Sequence, residues 1–244
     1  MSQPRGLPIS RRWRPLGAIR CGVVLCALLA AAQVSAQTAV ASTAGLPFPR
    51  LLANYLPLFL TGTWVTIKIS LMAMALASVL GLGLALVRVY GHWLLSRLAL
   101  TYVEFMRGTP LLIQLYFIYY GLPQLGLKLD AMTAAVIGVG LNYAAYEAEI
   151  YRAGLMAVPR QQTEAALALG MTRRQAVRLV VLPQALRLVI PPVTNDFVAL
   201  FKDTSIVSVV AVVELTKTFT TAAINTNRYM EFAIVTALIY FGLA

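Results

Sequence analysis

The chain alternates long uncharged apolar stretches with short segments that carry most of its charges. Residues 69–87 (ISLMAMALASVLGLGLALV) form the first such stretch, which starts upstream near Trp64. Residues 108–127 form a second, and residues 131–146 form a third that extends toward Ile150. A helix needs about 20 apolar residues to cross the hydrocarbon core of a bilayer. The three stretches therefore predict transmembrane helices.

Two further apolar segments complete the pattern. The fourth begins near Leu188 and is interrupted by Pro191, Pro192, Asp196 and Lys202. Because proline lacks the amide that a helix interior needs, we expect this helix to break at the two prolines. The fifth runs over residues 232–244, only 13 positions, so we expect a final helix that is truncated.

The first 40 residues follow a different pattern. Residues 1–20 hold five arginines and no acid, residues 21–32 are an apolar run of 12, and small residues follow before Gln37. A basic start, a short apolar core and an A-x-A-like end are typical of a secretory signal. A signal-anchor helix that reaches Ala41 is the alternative, and both cleavage after Ala36 and retention stay open. Residues 41–244 are then the transmembrane domain.

Composition supports the membrane class. The chain is 59% hydrophobic and 12% charged, with a mean hydropathy of +0.76, whereas soluble domains carry about 25% charged residues. The net charge is +11. Positive segments at residues 88–97 and 152–187 alternate with neutral ones at residues 128–130 and 214–231. The positive-inside rule therefore places the basic segments, the N-terminus and the chain end in the cytoplasm.

The long basic segment contains TEAALALGMTRRQAVRLVVLP, residues 163–183. Residues 162–169 are strong helix formers, and Gly170 fits a helix stop because glycine adopts the left-handed conformation cheaply. Thr172 and Gln175 have the spacing of a capping box that starts a second helix. Pro183 is expected to limit that helix. The segment therefore predicts two short helices around a tight turn.

Two alternatives apply to this helical pair. One is a DNA-binding helix-turn-helix whose Arg173, Arg174 and Gln175 face bases; it is disfavoured because the positive-inside topology already explains the arginines. The other is a solvated loop without a partner. Against it stands an apolar helix face, which indicates docking into a partner groove; the face comprises Ala165, Ala166, Leu167 and Leu169.

Several motifs in the chain resemble those of a known family. EAALALG at residues 164–170, followed by Leu182-Pro183, resembles the EAA loop of ABC importer permeases. Three further stretches are similar to the polar amino acid (histidine/glutamine-type) permeases: residues 103–123, 144–159 and 190–215. The resemblance covers most of residues 56–244 in the family's order. Gln161 departs from it, because a glycine is expected there, but we infer no lost function from this position.

The resemblance implies an all-α integral membrane fold, the type I ABC importer permease, with five core transmembrane helices. It implies a permease subunit that moves polar amino acids across the bacterial inner membrane. The implied partners are an ABC ATPase dimer that binds Mg-ATP, an identical or paralogous permease, and a periplasmic or tethered solute-binding protein; nucleic acid is not among them. The ATPase-coupling loop would span about residues 156–185, with Glu164, Ala165, Ala166 and Gly170 matching the motif.

Polar groups at membrane depth are costly, so they are candidates for the solute pathway. They are Asn142, Glu147, Glu149, Asn195, Asp196, Lys202 and Asp203. Structural roles are the alternative. Asn195 and Asp196 would satisfy carbonyls freed at the expected proline break, and Glu147 would pair with Arg152. Glu104 and Arg107, three residues apart on a helix, are expected to form a structural ion pair.

Rival functions follow from the same residues. A permease for another small polar solute, such as an opine or an organic cation, is the near rival. An intramembrane enzyme is the remote one, because the chain has no H-E-x-x-H and no G-x-S-x-G motif. The chain also lacks G-x-x-x-x-G-K-[ST], so we expect ATP to bind to a partner. We expect no catalytic residue, metal ligand or cofactor in this chain.

Overall fold

The computed structural model describes residues 47–244, so the expected signal segment and its cleavage site lie outside the described residues. Residues 52–244 form one compact unit. All regular structure between residues 47 and 244 is helical. The helices are α1 (Phe48–Tyr90), α2 (Trp93–Gly108), α3 (Leu111–Tyr116), α4 (Ala131–Ala157), α5 (Arg160–Ala168), α6 (Arg173–Gln175), α7 (Leu182–Asp203), α8 (Leu215–Thr226) and α9 (Tyr229–Leu243).

Wider and tighter helical turns extend several of these helices. A π-helical turn, Phe117–Gly121, and a 3₁₀ turn, Leu122–Leu125, follow α3. Another π-helical turn, Ala176–Val181, joins α6 to α7, and a 3₁₀ turn, Thr204–Val210, follows α7. The chain is therefore helical without a gap from Arg173 to Val210, over 38 residues.

Within the described residues, two helical stretches are long and apolar enough to cross a bilayer by length and composition: Phe48–Tyr90 and Arg173–Val210. Tyr229–Leu243 is apolar but shorter. The third expected stretch lies in α4, whose 27 residues also have spanning length. α2 lies before the second expected stretch, residues 108–127. The apolar pattern did not predict α2, because this helix is amphipathic and carries charges.

The expected break of the fourth span is absent, since α7 runs through Pro191 and Pro192 to Asp203. Pro183 does not end a helix either, because it lies in the first turn of α7. The π-helical turn before Pro183 is bonded from the Leu182 amide to the Val177 carbonyl. Pro183 therefore follows a wider turn, whereas Pro191 and Pro192 lie in the helix interior and each leave a helical hydrogen bond unmade without ending the helix. Helix continuity therefore prevails over the proline signal in this segment.

Small residues let the helices approach closely. In a bilayer, helix association depends on close packing, because lipid tails are as apolar as the side chains. Gly81 of α1 lies against α4, where an added Cβ would be 2.6 Å from the Cβ of Glu147 and 3.1 Å from the Ala144 carbonyl oxygen. Gly154 of α4 lies in the same way against Val189 of α7. α4 is therefore the helix on which α1 and α7 both pack.

Carboxylates cap two of the helices. Asp130 accepts a hydrogen bond from the Thr133 amide at 3.0 Å, and hydrogen bonding to Thr133 holds the pKa of Asp130 below its ordinary value. Glu214 is fully buried and accepts from the amides of Thr216 and Lys217, both at 2.7 Å. A carboxylate at a helix start satisfies free amides and interacts favourably with the helix dipole. These caps fix where α4 and α8 begin.

We predict that Gly81→Ala destabilises the protein and that Gly83→Ala does not. The added methyl at Gly81 meets the backbone of α4, and overpacking of this kind costs about 1–3 kcal/mol. No atom lies within 4 Å of the corresponding position at Gly83. Thermal unfolding of both variants in the same detergent measures the difference. Equal unfolding midpoints for the two variants would contradict the close crossing of α1 and α4.

Candidate functional site

The helical structure is interrupted between α2 and α3. α2 ends at Gly108, Thr109 is extended with φ −114° and ψ 141°, and Pro110 precedes the first residue of α3. The residue before a proline is pushed out of the helical region, so the sequence Thr-Pro enforces the interruption. Backbone carbonyls of the last turn of α2 lose their helical partners there. In a bilayer such groups must find partners inside the protein.

Two buried amide side chains satisfy this interruption. Gln114 Nε2 donates to the carbonyl oxygens of Met106 at 2.9 Å and Thr109 at 3.1 Å, and to the Thr109 hydroxyl at 2.7 Å. Asn142 Nδ2 donates to Gln114 Oε1 at 3.1 Å and to the Met106 oxygen at 3.3 Å. Gln114 is 8% exposed and Asn142 is 5% exposed. Asn142 therefore holds the interruption in place.

A cavity of about 550 Å³ opens beside the interruption, and we call it the break cavity. Its walls are residues 107–111 on one side, α4 on a second and α7 on a third. Small-molecule sites have volumes of about 300–1,000 Å³. The charged side chains in its lining are Arg107, Asp196 and Asp203. The break cavity therefore has the size of a small-molecule site and carries both signs of charge.

Aromatic residues of α4 position two of these charges. The Arg107 guanidinium lies over the Tyr146 ring, 5.2 Å from its centroid, in a cation–π geometry. The Tyr143 hydroxyl donates to Asp203 Oδ2 at 2.7 Å. Asp196 makes no side-chain hydrogen bond or ion pair within residues 47–244. A ligand can therefore bind Asp196 and Arg107 without displacing a hydrogen bond or an ion pair from either side chain.

Three of the seven polar residues proposed from the sequence line the break cavity: Asn142, Asp196 and Asp203. Asn195 and Lys202 lie on α7, as Asp196 and Asp203 do, but they are exposed and do not line the break cavity. Glu147 is fully buried against Gly81 rather than in the cavity wall. Neither Glu147 oxygen meets the geometry of a hydrogen bond, although Tyr151 lies close enough to interact with it. The structure thus brings together about half of the proposed set.

Glu149 lies between two arginines. It forms ion pairs with Arg88 of α1 and with Arg152, the latter at 2.8 Å. The expected pairing of Glu147 with Arg152 is therefore absent from residues 47–244, because Glu149 takes Arg152 instead. This shared carboxylate ties the end of α1 to the end of α4.

Sequence reasoning missed Arg107, Tyr143 and Tyr146. The spacing of three residues favoured an ion pair between Glu104 and Arg107, but between residues 47 and 244 no such pair forms. Arg107 contacts Tyr146 of α4 instead, a partner that local spacing does not reveal. One signal was present: Arg107 precedes Gly108, Thr109 and Pro110, which stop a helix in an apolar stretch.

Residues 160–181 form a helical hairpin, which we call the α5–α6 hairpin. Gly170 has φ +83°, and the bonds Gly170 N to Leu167 O (2.9 Å) and Met171 N to Ala166 O (3.1 Å) close a Schellman motif. Thr172 and Gln175 form the expected capping box, in which the backbone amide of Gln175 donates to Thr172 Oγ1 at 3.3 Å. The predicted turn chemistry is confirmed.

The apolar face of this hairpin is smaller than expected. Leu167 and Leu169 are exposed, the latter by 82%, whereas Ala166 is 4% exposed. The two arms of the hairpin pack on each other, and Ala166 is not part of the exposed face. The surface available to a partner therefore contains Glu164, Ala165, Leu167 and Leu169. Among the described residues, no group of three or more His, Cys, Asp or Glu side chains is placed to hold a metal.

Comparisons with known proteins identify relatives of this chain. Residues 77–244 match the family model described as "Binding-protein-dependent transport system inner membrane component". The chain is 39% identical over 191 residues to the "Probable amino-acid ABC transporter permease protein PatM" of Vibrio harveyi, covering 77% of this chain and 86% of the relative. It is 37% identical over 187 residues to the "Glutamine transport system permease protein GlnP" of Escherichia coli (strain K12), covering 76% and 85%.

A solved structure has the same fold. The "Crystal structure of an amino acid ABC transporter with histidines" contains a chain that superposes with a TM-score of 0.75 at 39% identity. The similarity covers 81% of this chain and 92% of that one. The all-α architecture expected from the sequence, that of a type I ABC importer permease, is confirmed.

We predict that Gln114→Leu destabilises the protein, while Gln124→Leu does not. Leucine at position 114 removes the donor to the Thr109 carbonyl and the acceptor of Asn142 Nδ2. Unsatisfied buried groups of this kind cost about 1–3 kcal/mol. Gln124 is exposed and makes one long hydrogen bond, at 3.5 Å, to the Tyr120 oxygen. Unfolding of both variants in mixed micelles with a rising fraction of SDS measures the change. A Gln114→Leu variant as stable as the Gln124→Leu variant would contradict the role of Gln114.

Proposed function

The chain belongs to the family of binding-protein-dependent transport system inner membrane components, and we propose that it is the permease subunit of an ABC importer for polar amino acids. The observation that carries the proposal is the break cavity, where one guanidinium and two carboxylates line a volume of about 550 Å³. The relatives reported above are named as amino-acid permeases, which supports the same substrate class.

The break cavity has groups complementary to both charges of a free amino acid. A charge taken out of water needs a compensating partner. Arg107 suits the carboxylate, because a guanidinium presents parallel N–H donors that match two carboxylate oxygens. Asp196 and Asp203 suit the ammonium group. The two kinds of partner lie on different helices, α2 and α7, so a bound zwitterion would bridge them.

The charges of the rival solutes match the break cavity less well. An organic cation without a carboxylate would leave Arg107 unpaired, and an opine would bring an additional carboxylate toward the aspartates. Competition for the cognate solute-binding protein distinguishes these classes. Displacement by amino acids supports the proposal, whereas displacement by opines or quaternary amines alone contradicts it. The relatives are transport permeases, and no geometry described above favours an intramembrane enzyme.

The proposed assembly contains two permease subunits, identical or paralogous, an ATPase dimer that binds Mg-ATP, and a periplasmic or tethered solute-binding protein. The family description, which names binding-protein dependence, supports the last partner. The exposed surface of the α5–α6 hairpin is the proposed ATPase contact, with Glu164 and Ala165 on it. In our proposal Ala166 and Gly170 shape the hairpin from within rather than contact the ATPase.

Reconstitution tests the function. The chain is placed in proteoliposomes with its partner permease, the ATPase and the solute-binding protein, and uptake of labelled amino acids is followed with and without ATP. We expect uptake that requires both ATP and the binding protein. Amino acid uptake without ATP, or ATP-driven uptake restricted to another solute class, would overturn the proposal.

We predict that Arg107→Gln lowers amino acid uptake about tenfold or more, since a hydrogen bond to a charged group contributes roughly 1.5–3 kcal/mol. Glu104→Gln is the matched control, because Glu104 lies one turn away on α2, is exposed, and does not line the break cavity. The initial uptake rate at saturating binding protein is the measurement. Normal uptake by the Arg107→Gln variant would rule out its role in solute binding.

We predict that Gly170→Val uncouples transport from ATP hydrolysis, while Gly170→Asn retains most of the coupling. No atom lies within 4 Å of a Cβ added at Gly170, so its φ of +83° is the constraint. A left-handed conformation costs most L-residues about 1–2 kcal/mol, but asparagine tolerates it. The ratio of solute moved to ATP hydrolysed is measured for both variants. The same ratio in the two variants would show that this backbone conformation does not matter for coupling.

A further inference from the structure

A second cavity, of about 920 Å³, lies between the α5–α6 hairpin and the ends of α1, α2 and α4, and we call it the arginine cavity. Five arginines line it: Arg88, Arg97, Arg152, Arg160 and Arg173. Glu164 is the one acidic residue in this lining. The five arginines come from α1, α2, α4, α5 and α6, so the cavity brings together charges that are distant in sequence.

Most of this positive charge is not compensated. Arg88 and Arg152 share the carboxylate of Glu149. Arg97, Arg160 and Arg173 have no carboxylate within ion-pair distance anywhere in residues 47–244. Five arginines thus face two glutamates, Glu149 and Glu164, which leaves three net positive charges around one cavity. A concave surface lined by one sign of charge concentrates ions of the opposite sign.

The arginine cavity also has apolar walls and aromatic neighbours. Leu100, Leu155 and Met156 line it beside the arginines. Tyr90 lines it as well, and Trp93, which starts α2, is 68% exposed nearby in sequence. Exposed tryptophan and tyrosine are typical of the membrane–water interface. The cavity therefore combines a basic wall and an apolar wall close to the expected membrane surface.

We propose that the arginine cavity binds the phosphate headgroup of an anionic phospholipid from the cytoplasmic leaflet. Basic pockets between transmembrane helices on the cytoplasmic side bind such headgroups. A headgroup there would join Arg160 and Arg173 of the hairpin to Arg97 of α2, and so would hold the hairpin against the helix ends. The inference rests on the proposed cytoplasmic orientation of the hairpin, but not on which solute is carried.

The apolar wall favours a lipid over other anions. A free phosphate ion would use the arginines but not Leu155 and Met156, and it would gain nothing from an interfacial position. An acyl chain attached to the phosphate packs on those side chains and removes apolar surface from water. A carboxylate of the ATPase is the remaining source of negative charge, and the experiment below separates it from lipid.

Native mass spectrometry of the delipidated permease–ATPase complex tests the proposal. Phosphatidylglycerol and phosphatidylcholine of the same chain length are titrated separately. We expect phosphatidylglycerol to bind in preference. The double variant R97Q/R173Q should bind it about 30-fold more weakly, since each arginine near a lipid surface accounts for roughly a 5-fold change.

The matched control is the double variant R174Q/R178Q. It removes the same number of positive charges, both from the α5–α6 hairpin, and both of its residues are exposed and outside the cavity lining. We expect its affinity for phosphatidylglycerol to match that of the unchanged protein. R97K/R173K, which keeps the charge, should retain most of the binding and so separates lost charge from misfolding.

Three results would overturn the proposal. Equal weakening in R97Q/R173Q and R174Q/R178Q would show that lipid responds to overall charge rather than to the cavity. Binding of inorganic phosphate with no preference between the two lipids would identify a site for soluble anions. Loss of the ATPase from R97Q/R173Q with unchanged lipid binding would make the cavity a subunit contact. The readout needs no transport, so failure of the amino acid assignment would leave the lipid result intact.

Discussion

The structure depends on one constraint: a backbone polar group inside a bilayer must find its hydrogen-bond partner within the protein. Thr109-Pro110 interrupts the helix between α2 and α3, and the amides of Gln114 and Asn142 replace the bonds lost there. One amide comes from α3 and the other from α4. The interruption can therefore exist only where α4 packs against it, and the same packing brings Arg107 over Tyr146 and opens the break cavity.

α4 is central to this arrangement because it offers small residues and shared charges to its neighbours. Gly154 allows α7 to pack closely on α4, and Gly81 of α1 allows the same for α1. Between these two contacts on the same helix, Glu149 binds Arg88 of α1 as well as Arg152. The first and third expected spans are therefore joined both by close packing and by a shared carboxylate, so a displacement of one requires displacement of the other.

Features that depend on local chemistry were predictable from the sequence, and features that depend on tertiary contacts were not. Gly170 and the Thr172–Gln175 capping box act within a few residues, and the structure confirms them. Asn142, Asp196 and Asp203 were named because polar groups are rare at membrane depth, and they line one cavity. Arg107 was missed because its contact, Tyr146, lies on another helix. The break expected at Pro191-Pro192 was wrong because the helix continues through both prolines.

The uninterrupted helical run from Arg173 to Val210 has a thermodynamic consequence. Arg173 belongs to the α5–α6 hairpin and Asp196 to the break cavity, and at 1.5 Å per residue the helix between them extends about 35 Å. Arg107 lies on a separate helix. A ligand that bridges Arg107 and Asp196 therefore favours particular positions of this run, and hence of the hairpin. By linkage, the free energy by which the hairpin's state changes ligand affinity equals the free energy by which the ligand biases the hairpin. In an ABC importer, cargo in the cavity would then act on the affinity of the ATPase subunits for nucleotide as strongly as nucleotide acts on cargo.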